Sequence, residues 1–68
     1  MILDQDYALL VLRLAERYID DCALDEAQIY IELAKMIYKK MGNNNYVVCI
    51  TYLGEVVTMK SDSLLNLE

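Results

Sequence analysis

A chain of 68 residues, 57% of them apolar and with a net charge of −5, allows one small domain and no more. Eleven Asp and Glu against six Lys and Arg argue against a partner held through phosphates and against docking on an anionic membrane, since both need Lys and Arg in excess. The apolar fraction exceeds the roughly 45–50% of an ordinary soluble domain, so the chain carries more apolar surface than so small an interior hides.

The opening residues, Met1-Ile2-Leu3-Asp4-Gln5-Asp6, carry acid where a secretory leader carries Lys or Arg. Cys22 and Cys49 lack CxxC or CxxH spacing and read as two reduced, packed thiols in a cytoplasmic protein. No apolar run is long enough for a membrane span.

The first segment spans about residues 4–21. Asp4 or Asp6 is placed to cap its free amides. Tyr7, Leu10, Val11, Leu14 and Tyr18 keep the i, i+3, i+4 spacing of a helix, as do Ala8, Leu12, Ala15 and Ile19. Arg13, Glu16, Arg17 and Asp20 mark its wet side. Asp20 to Glu26 forms a polar junction.

The second segment spans about 24–41. Asp25 and Glu26 lie at the positive end of a helix dipole and Lys35, Lys39 and Lys40 toward the negative end. Ala27, Tyr30, Ile31, Ala34, Ile37, Tyr38 and Met41 form its stripe, and Ile29, Leu33 and Met36 widen it. Met41-Gly42-Asn43-Asn44-Asn45 reads as a helix stop and loop, with Gly42 in the left-handed position after the last turn.

The third segment spans about 45–60. Tyr46-Val47-Val48-Cys49-Ile50-Thr51-Tyr52 has strand composition. A lone strand in a helical chain has nothing to pair with, however, and Tyr46, Cys49, Ile50, Leu53, Val56 and Val57 keep helical spacing, so the segment reads as a helix. Ser61 or Asp62 is placed to cap one further short turn. Residues 1–66 thus read as a single helical domain, and Leu67-Glu68 fits the scar left by cloning and is given no weight.

Val11-x-x-Leu14-Ala15-x-x-Tyr18 followed by Ala27-x-x-x-Ile31 resembles the tetratricopeptide repeat, whose pattern is W-x₂-L-G-x₂-Y and then A-x₃-F. The pattern restarts at Ile50-x-x-Leu53-Gly54-x-x-Val57, a few residues later than the repeat's period of about 34, with the surplus in the Asn-rich loop. Valine replaces the family's tryptophan, and Lys39 stands where it has proline. The resemblance implies an antiparallel helical hairpin in which Ala15 and Ala27 are small so that the helices approach closely, with Gly54 doing the same for the third helix. The fold expected is all-α, a three-helix bundle containing that hairpin. One and a half repeats fall short of the three or so that a stack needs.

Without histidine, the Ser-His, Cys-His and His-metal constellations are unavailable, and there is no glycine-rich phosphate loop. Asp20, Asp21, Asp25 and Glu26 lack the spacing of a calcium loop and read as helix-end charges. Catalytic, cofactor and metal sites are therefore expected to be none. Of the six tyrosines, Tyr18 and Tyr52 fall on the seam, while Tyr30, Tyr38 and Tyr46 suit either core or interface.

The expectation is a non-enzymatic protein-protein interaction module or small regulatory adaptor with a protein partner and no direct contact with nucleic acid or membrane. It is expected to self-associate as a homodimer on its second and third helices, through Ile29, Leu33, Met36, Tyr38, Tyr46, Val47 and Val57. The alternative is an acidic inhibitor that mimics nucleic acid and blocks a DNA-binding protein. Arg13, Arg17, Lys35, Lys39 and Lys40 dilute the carboxylates such a mimic would need.

Overall fold

The computed structural model describes the backbone of residues 5–65 and the side-chain surroundings of residues 5–62. Asp4 as a cap and Leu67-Glu68 as a cloning scar lie outside the described residues. Three helices follow one another: α1 (Gln5–Asp20), α2 (Leu24–Lys40) and α3 (Tyr46–Leu65). The expected all-α bundle is present. The strand-like run Tyr46–Tyr52 lies within α3, where the hydroxyl of Thr51 donates to the carbonyl of Val47 at 3.2 Å and gives a β-branched side chain a local partner. The third helix is longer than expected. Ser61 and Asp62 do not start a separate turn; they continue α3 without a break to Leu65.

Both connections use one device. After α1, the Cys22 amide donates to the Ile19 carbonyl at 3.0 Å and the Ala23 amide to the Tyr18 carbonyl at 2.8 Å. After α2, the Gly42 amide donates to Lys39 at 3.1 Å and the Asn43 amide to Tyr38 at 2.9 Å. These are paired Schellman closures, each turning on a residue with positive φ: 61° at Cys22 and 69° at Gly42. Glycine adopts that conformation freely, whereas a residue with a Cβ is strained there by about 1–2 kcal/mol. Asn43 then forms an Asx turn, its Oδ1 accepting the Asn45 amide at 2.9 Å and leading the chain into α3.

The connections leave so few residues that α2 runs back along α1 and α3 back along α2. Across the second seam Lys60, late in α3, reaches Asp25 and Gln28, early in α2, while Lys39 lies over the ring of Tyr46. The core is a central stripe on α2, made of Ala27, Ile31, Ala34, Ile37 and Tyr38, meeting Ala8, Val11, Leu12 and Ala15 from α1 and Cys49 and Val56 from α3. Ala15 and Ala27 are both fully buried, as close helix approach requires. No polar or charged residue is buried among the described residues. α2 packs on both neighbours, whereas α1 and α3 meet only marginally.

Gly54 differs from the expectation. It is exposed, and a Cβ built on it would meet nothing within 4 Å, so it does not bring α3 close to α1 or α2.

The two closures differ in strain, and that difference is measurable. Cys22→Gly should stabilise the protein by about 0.5–1 kcal/mol, the relief of strain exceeding the added freedom of the unfolded chain. Gly42→Ala should destabilise it by about 1 kcal/mol or more. Urea denaturation of the two variants checks both signs.

Candidate functional site

Two groups of the exposed apolar residues form continuous faces. The first is a groove of about 400 Å³ between α1 and α2, floored by Tyr7, Leu10, Val11 and Leu14 from α1 and Tyr30 and Leu33 from α2. Arg13 and Arg17 stand on its edge. Leu10 is 65% exposed, and Tyr30 is held in place by stacking on Tyr18, with ring centroids 5.4 Å apart and planes within 3°. Leu10 and Leu14 lie roughly half a turn around α1 from Glu16, which reaches α3 through Tyr52, so the groove opens on the side away from α3. Ile29 and Met36 lie one turn either side of Leu33 on α2 and extend this apolar surface; Ile29 is 63% exposed.

The second face is a stripe along α3. Val47, Ile50, Gly54, Val57 and Ser61 follow one another at alternating three- and four-residue steps, the spacing of a coiled-coil seam, and all are exposed. Val57 is 56% exposed. The inner side of α3 is already occupied by Cys49 and Val56, with Tyr46, Tyr52 and Leu53 half-buried beside them. A helix apolar on both sides is ordinarily covered on both sides.

The expected interface set therefore divides. Ile29, Leu33 and Met36 belong with the α1–α2 groove, and Val47 and Val57 belong to the α3 stripe. Between the two groups Asp25, Glu32 and Lys39 form an exposed charged row on α2 at heptad spacing, and Lys60 donates to Asp25 at 2.6 Å and to Gln28 at 2.9 Å. Tyr46 is half-buried under Lys39, whose Nζ is 5.4 Å from the ring centroid. Tyr38 is not an interface residue: at 2% exposure it fills the core, because it sits seven residues after Ile31 on the buried stripe. Sequence periodicity assigned Tyr7, Leu10 and Leu14 to a helical stripe without separating the buried part from the exposed part. The basic residues at steps of three and four beside them were the available signal.

Neither thiol is paired. Cys49 is fully buried, and burial pushes its thiol above the ordinary range, with Lys35 opposing the shift. Cys22, expected to be packed, is exposed, because a left-handed residue at a helix end projects away from the seam. Among the described residues no group of three or more His, Cys, Asp or Glu is placed to hold a metal ion, and no helix is long and apolar enough to cross a membrane. No family model, curated protein or solved structure matches the chain.

Among the described residues α1 and α3 share a polar tie: the Tyr52 hydroxyl donates to Glu16 Oε1 at 2.6 Å. This bond holds the proton on the phenol and raises Tyr52 above the ordinary tyrosine range, with desolvation adding to the effect. A group whose native-state affinity for its proton is raised stabilises the fold at pH values below its unfolded pKa, near 10, and loses that contribution as the pH climbs through the native value. Tyr52→Phe should therefore cost about 1 kcal/mol at neutral pH. The wild type should lose its advantage over the variant above pH ~10, read by urea melts across pH. Iodoacetamide with mass spectrometry should label Cys22 in the native protein and Cys49 only after unfolding.

Proposed function

We propose that the chain is a non-catalytic interaction module that pairs with a second copy of itself along α3. The observation carrying this reading is the exposed, uncharged stripe Val47–Ile50–Gly54–Val57–Ser61 on a helix whose opposite side is already buried. Glycine inside a helix costs about 1 kcal/mol relative to alanine, and among the described residues nothing lies within 4 Å of a Cβ built on Gly54 to account for it. A second helix crossing at Gly54 accounts for it, because a missing Cβ lets two backbones come close. Two copies of α3 running antiparallel about that point set Ile50 of each near Val57 of the other. No charge interrupts the stripe, so a two-fold axis brings no like charges face to face.

This seam narrows the expected dimer from α2 and α3 together to α3, since the charged row on α2 separates Ile29, Leu33 and Met36 from it. The tetratricopeptide-like reading remains compatible: a hairpin followed by one more helix offers its last helix to a neighbour. Two unpaired cysteines suit a reducing, cytoplasmic setting. The nucleic-acid-mimic alternative gains no support, because Arg13 and Arg17 break the acidic surface along α1.

Sedimentation equilibrium should find the wild type dimeric at micromolar concentration and Gly54→Leu monomeric. Circular dichroism should show the variant as helical as the wild type, since the new side chain enters open space. A monomeric wild type would reject self-association, and a dimeric Gly54→Leu would reject this seam.

A further inference from the structure

The α1–α2 groove lies apart from the α3 seam and carries a charge pattern of its own. The chain has two arginines, Arg13 and Arg17, and both stand on the groove's edge. They are four residues apart on one face of α1, an arrangement in which like charges repel. Among the described residues neither has an ion-pair partner, although acids outnumber bases in the chain. The guanidinium is the cation best shaped to grip a carboxylate by two parallel hydrogen bonds.

We infer that this groove receives an amphipathic helix from another protein, its apolar face seated on Leu10, Leu14 and Leu33 and a row of its Glu or Asp side chains paired with Arg13 and Arg17. The groove lies along about ten residues of α1, Tyr7 to Arg17, or roughly 15 Å. That length accommodates an incoming helix of about three turns, anchored at i, i+3 or i+4, and i+7. Carboxylates three or four residues apart on the incoming helix match the spacing of the two arginines. Ile29 and Met36 continue the apolar surface beyond Leu33 and widen the floor for the incoming helix.

The test uses the full chain and two fluorescein-labelled synthetic helical peptides of about 18 residues, long enough to span the groove. Both carry the same Leu and Ile face; one has Glu along one edge, and the other has Lys at those positions. In fluorescence anisotropy the Glu peptide should bind at least about tenfold more tightly than the Lys peptide, with the margin shrinking in high salt. Arg13→Glu with Arg17→Glu should reverse the preference, and circular dichroism should show the fold intact because both positions are exposed. The same preference should persist in Gly54→Leu, which separates the groove from the α3 seam. Equal binding of the two peptides, binding of neither, or a preference unchanged by the charge reversal would overturn the assignment. Peptide binding that occurs only as the dimer dissociates would overturn it too, by making a second copy the occupant.

Discussion

Four fully buried alanines, Ala8 and Ala15 on α1 and Ala27 and Ala34 on α2, let the first two helices approach closely, and the rest of the architecture answers to that closeness. Small residues at a seam shorten the distance between helix axes but contribute little apolar area of their own. The larger share of burial falls to Ile31, Ile37 and Tyr38, all on α2, which therefore serves two neighbours with one broad stripe. A helix so placed has no third face to spare for its remaining apolar residues. Ile29 and Met36 stay outside, and so do Leu10 and Leu14 on α1. The exposed faces are thus the complement of a tight, narrow core.

Much of this was legible in the chain. Gly42 and the three asparagines after it marked the second break because their backbone preferences act locally. The helical spacing of Tyr46, Cys49 and Leu53 outweighed the strand-forming composition around them because a strand needs a pairing partner that the rest of the chain does not supply. Other features were hidden for physical reasons. The polar junction Asp20–Glu26 marked the first break, but not that it turns on Cys22, a residue type with no preference for positive φ. Gly54 looked like an internal contact because a glycine records closeness without recording to what. Periodicity gave α1 a broad apolar stripe, but which edge of it faces α2 is decided by three-dimensional packing. Leu10 and Leu14 therefore shared one stripe with Val11 and Tyr18, although they line a groove.

The two exposed faces differ in chemistry as well as position. The α3 stripe is uncharged and suits a copy of itself, where any charge would meet its own sign across a symmetry axis. The α1–α2 groove is asymmetric, greasy along its floor and basic along one edge, and suits something unlike itself. Between them the row Asp25, Glu32 and Lys39, with Lys60 bridging to Asp25, keeps the apolar surfaces from merging. An exposed ion pair of this kind adds at most about 1 kcal/mol to stability. Its hydration gives it a second effect, as a polar boundary between two sticky surfaces.

The marginal meeting of α1 and α3 bears on how the chain reaches its fold. Nearly all packing joins helices that follow one another, across short connections closed by local hydrogen bonds, so little loop-closure entropy separates the unfolded chain from its contacts. Such a topology favours rapid folding that spreads outward from α2. It also makes cooperativity a matter of nearest neighbours: α3 holds to the hairpin through its seam with α2, where Lys60 reaches Asp25 and Gln28, and through the Tyr52–Glu16 bond to α1, so its release need not part the other two helices.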